Sequence, residues 1–320
     1  MAETRIGNVA VVGAGMMGCN IGTEYAIGGH QVTLFARSAE HAERATARVR
    51  SALDALRDGG VLDAAAAAAA LGRVRTATTL PEAVAGAELI VESIPENLAL
   101  KREMFVTLET LCAPGVIFAT NTSGLPITQI ATALAHPERL IGVHYLNPAH
   151  LMPPVEVIPG EATAPEIVER MRDTLTALGK SPVVVRREEP GFLWNRLQFA
   201  LLREACHIVE QGIATMEEVD LVMRQGLGRR WSIVGPFASL DLGGIGTAAL
   251  VAQYLLPALS DAKTPPPTLA EPVAAGRTGA ESGGGFYDWP PEKLQATVAR
   301  RNAMLVAALR AEQQGSDGEG

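Results

Sequence analysis

The feature that most constrains the fold of this 320-residue chain is a glycine-rich loop close to its N-terminus. Residues 9–18 read VAVVGAGMMG, a short β-branched run followed at once by the pattern G-x-G-x-x-G and a helical stretch. In this pattern the first glycine permits a tight turn, the second lets the backbone approach a pyrophosphate, and the third allows close packing of helix and strand. The helix N-terminus adds N–H donors and partial positive charge. The pattern therefore predicts a dinucleotide-binding loop with these contacts: Gly13, Gly15, Met16, Met17 and Gly18.

The chain continues to alternate short apolar runs with helical stretches as far as residue 188. The apolar runs after the first lie at 31–35, 88–93, 116–121, 140–145, 155–159 and 182–185. Such alternation predicts a parallel sheet with right-handed crossovers. From the segment EEPGFLWNRL onward, these runs stop and amphipathic helical patterns take over. We predict an α/β Rossmann-type domain with a parallel sheet over 1–188 and an all-α domain over 189–320, with a disordered tail after about 311.

Composition and charge exclude several classes of function. The formal net charge of −8 at pH 7 argues against general binding to a phosphate backbone, so we expect no nucleic-acid partner. No apolar run reaches the roughly 18 residues that a membrane span needs, and the N-terminus lacks a signal-peptide pattern. The three cysteines are scattered, which favours a reducing compartment over a disulfide framework or a metal cluster. We expect a cytoplasmic protein with no membrane partner and no metal.

The end of the second predicted strand bears on the choice of coenzyme. Dinucleotide-binding folds usually carry an Asp or Glu here, which accepts hydrogen bonds from the adenosine ribose and repels a 2′-phosphate. This chain instead reads Ala36-Arg37-Ser38. Arg37 offers a planar fork suited to a phosphate, and Ser38 offers a further donor near a helix start. We therefore expect NADP(H) to be favoured. The alternative is that Arg37 is a solvated surface residue and NAD(H) binds without the usual acid.

Six further motifs follow the second strand. They are PENLALK at 95–101, NTSGLPI at 121–127, GVHYLNP at 142–148, VEVI at 155–158, GFLWNR at 191–196 and GGGFYDW at 283–289. In these motifs, their order and their spacing, the chain resembles the 3-hydroxyacyl-CoA dehydrogenase superfamily from about residue 7 to about residue 310. It looks particularly like the short single-unit members of that superfamily, of the lambda-crystallin and L-carnitine dehydrogenase type.

One pair of residues stands out as a catalytic centre. His144 ends a predicted strand and Glu156 begins the next one, so neighbouring strands can bring the two side chains into contact. An imidazole can take the proton of a substrate hydroxyl, and a carboxylate on its other nitrogen fixes the tautomer and stabilises the imidazolium. The resemblance assigns the catalytic dyad to the same two residues. A purely structural pair is the alternative, and His150 in the following loop is a rival base.

The resemblance implies roles for further residues. It places Ser123 and Asn195 on the reacting oxygen of the substrate, where a hydroxyl and an amide can donate to developing charge. It also implies four coenzyme contacts, several of them beside the nicotinamide ribose: Glu96, Lys101, Asn121 and Asn147. Without the resemblance, these residues would be interpreted as turn residues, a helix cap and a charged helix start.

The sequence points in two directions on the substrate. Many members of the superfamily have a second Ser where this chain has Gly124, and two Phe where it has Tyr145-Leu146. The helical stretch from about 40 to 72, which often carries lysines in relatives that use CoA, contains none here. The segment GLGRRWSIVGPF at 226–237 resembles the branch that acts on small free acids, whereas GGGFYDW resembles the thioester branch.

We expect an NAD(P)-dependent oxidoreductase that interconverts 3-hydroxyacyl and 3-ketoacyl groups of an acyl-CoA or other thioester, as an NADPH-preferring reductase. The first alternative is an NAD-dependent dehydrogenase of a small free 3-hydroxy acid of the L-gulonate or L-carnitine type. The second is a nucleotide-binding protein with a structural or regulatory role. For the enzyme, the partners are a small-molecule substrate and a second copy, and the C-terminal domain forms the homodimer interface and one wall of the cleft.

Overall fold

The structure is a computed structural model that describes residues 6–316. Within them the chain divides into two compact units. The first comprises the residues up to Asn195 and those from Val298 onward, and the second is Arg196–Thr297. An eight-stranded sheet with helices forms the first unit, and helices form the second. The predicted fold class, a Rossmann-type domain followed by a helical domain, is confirmed.

The division between the units differs from the predicted boundary at 188/189 in two respects. It falls later in the chain, because the turn that follows the predicted boundary donates main-chain hydrogen bonds to Glu156 in the sheet. The segment from Val298 also belongs to the first unit rather than the second. Its buried Val306 packs against Leu56, which ties this part of the last helix to the α/β unit.

The sheet of the first unit has eight strands. Their bounds are β1 Asn8–Val12, β2 Gln31–Phe35, β3 Val74–Ala77, β4 Leu89–Glu92, β5 Ile117–Thr120, β6 Leu140–Tyr145, β7 Pro154–Pro159 and β8 Ser181–Val184. Their order in the sheet is β3-β2-β1-β4-β5-β6-β7-β8. All neighbouring pairs are parallel except β6 with β7. The predicted parallel sheet is therefore confirmed for most of its strands, while β7 and β8 run opposite to the other six.

The antiparallel step has a simple physical cause. Only residues 146–153 connect β6 to β7, whereas a parallel pair needs a crossover of roughly a dozen residues or more. The chain therefore turns back on itself. Strand β3 was not predicted from the sequence, because it lies at the sheet edge and carries Arg75 and Thr76 rather than a continuous apolar run.

Seven helices complete the sequence of the first unit up to β8. They are α1 Met16–Ile27, α2 Ala39–Asp58, α3 Ala64–Gly72, α4 Leu80–Val84, α5 Leu98–Leu111, α6 Ile127–Ala131 and α7 Pro165–Ala177, with a 3-10 turn at Pro137–Arg139. Successive side chains of a strand point to opposite faces. Accordingly Val9 and Val11 of β1 pack with α1, α2, α3 and α7, and Ala10 and Val12 pack with α4, α5 and α6. The sheet is covered on both faces.

The remaining helices follow β8. They are α8 Trp194–Glu210, α9 Met216–Val222, α10 Gly228–Trp231, α11 Pro236–Gly243, α12 Ile245–Leu255, α13 Pro267–Ala274 and α14 Pro291–Ser316, with a π-helical turn at Met223–Leu227 and 3-10 turns at Leu256–Ala258 and Ala280–Ser282. The tail predicted to be disordered after about 311 is helical as far as Ser316, in keeping with the helix-forming residues AEQQ. Residues 317–320 lie outside the described part of the chain.

No single helix between residues 6 and 316 is long and apolar enough to cross a membrane. One pair, Pro236–Gly243 with Ile245–Ala258, meets the criteria of length and composition together, although the two helices are bent by 109°.

Candidate active site

The loop between β1 and α1 has the geometry that a dinucleotide site requires. Gly13 has a φ of 117°, and a Cβ there would clash with the main-chain oxygen of Ser93. A Cβ on Gly18 would clash with the main-chain oxygen of Gly13. At Gly15, by contrast, no atom lies within 4 Å of the Cβ position, so an approaching pyrophosphate has open space. The first turn of α1 carries no acidic side chain, which favours an anion at that helix end.

The two methionines of the loop lie at the start of α1. Met16 is exposed beside the open space at Gly15, and Met17 is half-buried and packs against the core. Both the glycines and the helix end therefore fit a bound dinucleotide, with Met16 as the side chain that remains accessible.

Two residues that follow β2 are predicted to bind a 2′-phosphate, and they differ in whether their side chains are available. Arg37 is exposed and forms no hydrogen bond or ion pair with a described residue, so its guanidinium is available to a ligand. Ser38 is the N-cap of α2, where its hydroxyl oxygen accepts from the main-chain N–H of His41 at 3.3 Å and lies 2.8 Å from the imidazole Nδ1 of the same residue. The hydroxyl of Ser38 is thus already engaged in capping.

His144 and Glu156 meet as predicted. The two residues are direct partners in the antiparallel pairing of β6 with β7, and Nδ1 of His144 lies 2.6 Å from Oε2 of Glu156. Both side chains are buried, with about 6% and 5% of their surface exposed. Because Nδ1 faces the carboxylate, Nε2 is the nitrogen left to exchange a proton with a substrate.

The other oxygen of Glu156 is held by the backbone. Oε1 accepts hydrogen bonds from the main-chain N–H groups of Leu193 at 2.7 Å and Trp194 at 2.8 Å. Burial acts to raise the pKa of Glu156, but the hydrogen bonds from His144, Trp194 and Leu193 outweigh it and bring the pKa below its ordinary value. The carboxylate is therefore charged at neutral pH.

Ser123 lies in the loop after β5, where two hydrogen bonds hold its backbone and a third holds the preceding residue. Its main-chain N–H donates to Oε1 of Glu96 at 2.9 Å, and the hydroxyl of the preceding Thr122 donates to the same oxygen at 2.5 Å. Nδ2 of Asn195 donates to the main-chain oxygen of Ser123 at 2.7 Å. The Ser123 side chain is exposed and its hydroxyl forms no hydrogen bond with a described residue, so it remains free to donate to a substrate.

These contacts link the predicted residues into one assembly. Trp194 binds Glu156, and the next residue, Asn195, binds Ser123. Asn121, at the end of β5, accepts from the main-chain N–H of Tyr145 at 2.9 Å, beside His144. Asn147 is exposed in the connection between β6 and β7, directly before a cis bond to Pro148.

Lys101 is placed differently from the expected coenzyme contact. It is 1% exposed, and its ammonium lies 2.7 Å from Oε1 of Glu92, 3.3 Å from the main-chain oxygen of Ile94 and 3.5 Å from Oε2 of Glu96. Protein groups thus surround the charge. Whatever Lys101 contributes to coenzyme binding must pass through Glu96, which is exposed.

Glu92, which the sequence did not single out, is the buried centre of this network. Its Oε1 also accepts from the main-chain N–H of Ile94 at 2.7 Å, and its Oε2 accepts from the hydroxyl of Thr120 at 2.6 Å. The sequence signal that could have identified Glu92 is an acid at the end of the apolar run ELIVES. In the structure Glu92 is fully buried. A charge in such a run needs a partner, and Lys101 is the partner.

His150 does not fit the role of the base. It is 8% exposed and its Nδ1 has no hydrogen-bond partner among the described residues. Burial, together with the charges of Lys180 and Arg301, lowers its pKa to about 4. A base that works near neutral pH needs a pKa much closer to that pH.

Within residues 6–316, no group of three or more His, Cys, Asp or Glu side chains has the arrangement of a metal site.

The chain is similar in sequence and fold to known proteins. The family model described as "3-hydroxyacyl-CoA dehydrogenase, NAD binding domain" matches residues 8–189, and the model of the C-terminal domain of the same family matches residues 191–289. The chain is 38% identical over 308 residues to 5-formyl-3-hydroxy-2-methylpyridine 4-carboxylate 5-dehydrogenase of Mesorhizobium japonicum, covering 95% of this chain and 98% of the relative.

A second relative and a solved structure are also similar to the chain. The chain is 37% identical over 286 residues to a probable 3-hydroxybutyryl-CoA dehydrogenase of Bacillus subtilis, covering 89% of this chain and 98% of the relative. A crystal structure described as that of 5-formyl-3-hydroxy-2-methylpyridine 4-carboxylic acid 5-dehydrogenase, an NAD⁺-dependent dismutase, matches with a TM-score of 0.88 at 36% identity. That match covers 96% of this chain and 98% of the other.

Proposed function

This chain belongs to the 3-hydroxyacyl-CoA dehydrogenase family, and we propose that it catalyses hydride transfer between a nicotinamide coenzyme and a substrate carbon that bears a hydroxyl or carbonyl oxygen, with His144 as the acid–base residue. The observation that carries this proposal is the buried contact of His144 Nδ1 with Glu156 at 2.6 Å. A bound nicotinamide coenzyme supplies the hydride acceptor for oxidation and the donor for reduction.

The protein groups handle the proton and the charge. In the oxidative direction Nε2 of His144 takes the proton of the substrate hydroxyl, and in the reductive direction it returns that proton to the carbonyl oxygen. The charged carboxylate of Glu156 fixes the tautomer and stabilises the imidazolium. The free hydroxyl of Ser123 donates to the reacting oxygen. Asn195 supports it by holding the backbone of Ser123 in place.

The first substrate class is a 3-ketoacyl or 3-hydroxyacyl thioester, with reduction by NADPH as the favoured direction. The family itself, together with the Bacillus subtilis relative, supports the thioester. The unpartnered guanidinium of Arg37, directly after Ala36 where an acid would repel a 2′-phosphate, supports NADPH.

A second substrate class, a small free carboxylic acid handled with NAD(H), is favoured by the relative and the solved structure that act on a pyridine carboxylate. The charges on α2 point the same way. Arg44 lies 3.5 Å from Glu40, and Arg57 lies 2.6 Å from Asp54 and 2.8 Å from Asp58. Arginines paired with acids offer less positive charge to the phosphates of CoA than free lysines would.

A steady-state panel tests the proposal and separates the two classes. NADH and NADPH are each paired with acetoacetyl-CoA, with its pantetheine analogue, with free 3-keto acids and with the pyridine aldehyde acid named for the relative. Turnover of the thioesters with NADPH supports the first class, and turnover of the free acids or the aldehyde with NAD(H) supports the second. Absence of turnover with every pair, in protein that binds coenzyme tightly, would favour a structural or regulatory protein instead.

We further propose that the second unit mediates a homodimer. It exposes many large apolar side chains, including Ile233 at 84%, Phe237 at 85% and Leu242 at 79%. Exposed apolar patches of this kind mark interaction surfaces. Light scattering coupled to size exclusion should report a dimer, and the double substitution Phe237→Asp with Leu242→Asp should give a monomer. A wild-type monomer that instead binds lipid vesicles would contradict the dimer.

A further inference from the structure

Two consecutive residues with left-handed backbone conformation precede α8. Gly191 has a φ of 78° and Phe192 a φ of 50°. Phe192 is the one residue other than glycine with positive φ in the described part of the chain. A bulky side chain disfavours this conformation, because its Cβ comes too close to the following carbonyl oxygen. Such strain persists only where the surroundings enforce it, and it is concentrated at functional sites.

The residues that follow the strained turn form hydrogen bonds with Glu156 of the dyad. The main-chain N–H of Phe192 donates to the main-chain oxygen of Glu189 at 2.9 Å, and this hydrogen bond closes the turn. The next two N–H groups, of Leu193 and Trp194, then reach Oε1 of Glu156. Since Oε1 is fixed by two donors, Oε2 is the oxygen that faces His144.

The side chain of Phe192 points at the same place. It is 2% exposed, and its ring centroid lies 5.9 Å from that of the His144 imidazole at an interplanar angle of 60°. Phe192 therefore acts on the dyad in two ways. Its ring packs against the imidazole of His144, and the turn that it closes presents the N–H groups that bind Glu156.

We propose that Phe192 is a positioning residue of the reaction, which holds the His144–Glu156 pair in its working geometry through both of these contacts. This inference rests on the proposed function, because it presupposes His144 as the acid–base residue. Phe192 touches neither of the reacting atoms in this scheme. Its effect is the orientation of the imidazole whose Nε2 exchanges the proton.

A role in stability alone makes a different prediction. Any buried phenylalanine stabilises the fold, and its replacement by leucine lowers the thermal midpoint without a specific effect on catalysis. A positioning role adds a loss of rate at constant coenzyme affinity, because misplacement by about 1 Å can cost two orders of magnitude in rate.

The chain offers a matched control. Phe105 is fully buried in α5, and its ring centroid lies 5.9 Å from that of Phe118. The substitution Phe105→Leu therefore makes the same chemical change at the same ring separation, without contact to the dyad. Phe192→Leu removes the aromatic ring and keeps an apolar side chain. Phe192→Gly removes both the ring and the strain.

The experiment compares kcat, coenzyme Kd and thermal midpoint for the three variants with His144→Ala as the inactive reference. We expect Phe192→Leu to lose about tenfold in kcat and Phe192→Gly about a hundredfold, with coenzyme Kd unchanged. Phe105→Leu should stay within twofold of wild-type kcat at a similar loss of thermal midpoint. If Phe192→Leu matches Phe105→Leu in kcat while His144→Ala is inactive, the positioning role is wrong and the proposed function stands.

A readout independent of turnover covers the case in which the proposed function itself fails. The ¹⁵N and ¹H signals of the His144 ring report the hydrogen bond from Nδ1 to Glu156. We expect them to shift in both Phe192 variants and to remain in place in Phe105→Leu. Unchanged signals in Phe192→Gly would overturn the inference whatever the substrate panel gives.

Discussion

His144 and Glu156 are directly opposite partners across the antiparallel pair of β6 and β7, and their side chains meet at 2.6 Å. Side chains alternate between the two faces of a strand, so a slip of one residue would place the two groups on opposite faces. The contact between His144 and Glu156 therefore depends on the register of the two strands. The short connection of residues 146–153 forces the antiparallel return on which this register depends.

The first prediction concerns this pair. His144→Ala should lower kcat by roughly 10²–10⁴-fold, the usual contribution of a general acid–base residue, and should leave coenzyme Kd unchanged. Steady-state kinetics and coenzyme titration measure the two effects. His136→Ala provides the control, because His136 is an exposed histidine paired with Glu138. Wild-type rates in His144→Ala would remove the proton-transfer role.

The second prediction concerns the coenzyme. Arg37→Ala should weaken NADPH binding by about 1.5–3 kcal/mol, the size of a charged hydrogen bond, and should leave NADH binding unaffected. Dissociation constants for the two coenzymes measure the difference. Arg50 is an exposed arginine on α2, so Arg50→Ala controls for the general loss of one positive charge. An equal loss for both coenzymes, or no loss, would assign Arg37 to the solvated surface.

Much of this site follows from the sequence, because its key signals are local. The glycine spacing of the first loop predicts the nucleotide site, and the strand patterns around His144 and Glu156 predict their contact. The sequence could not indicate that Lys101 is enclosed by Glu92, Ile94 and Glu96, because this arrangement depends on how β4 and α5 pack in three dimensions. Strand β3 was missed for a related reason: an edge strand lacks the apolar periodicity of a buried one.

The third prediction concerns the buried ion pair. Lys101→Met would leave the Glu92 carboxylate buried without its cation, which costs about 3–5 kcal/mol in the free energy of unfolding. The double variant Lys101→Met with Glu92→Gln should recover much of that loss, because it removes both charges. Urea denaturation of the two variants and the wild type measures the effect. If the double variant is as unstable as the single one, Glu92 does not depend on Lys101.

The fourth prediction concerns Gly124. Its φ lies outside the left-handed region, and a Cβ there would meet only the main-chain nitrogen of Gly191, at an ordinary contact distance of 3.9 Å. Gly124→Ser should therefore change the free energy of unfolding by less than about 0.5 kcal/mol. Because it restores the serine common in the family, it should raise kcat/KM for acyl thioesters relative to free acids. An unchanged ratio would remove Gly124 from the determinants of the substrate.

The fifth prediction concerns acid stability and depends on His150. Burial and the charges of Lys180 and Arg301 lower the pKa of its imidazole to about 4 in the folded state, against about 6.5 in an unfolded chain. Between these two values the unfolded state binds a proton that the folded state does not, so stability falls as the pH decreases from 6.5 to 4. At pH 5 the loss is about 2 kcal/mol relative to pH 7.

His150→Leu removes the titrating imidazole. Between pH 7 and pH 5, the free energy of unfolding should therefore decrease by about 2 kcal/mol more in the wild type than in the variant. The comparison isolates His150 because Glu24 is present in both proteins. Burial raises the pKa of Glu24 against the opposing effect of Lys180, and its own pH dependence therefore cancels in the difference. Urea denaturation at half-unit pH steps gives the two curves. Parallel curves across this range would mean that the His150 imidazole is protonated in the folded protein or remains in contact with solvent.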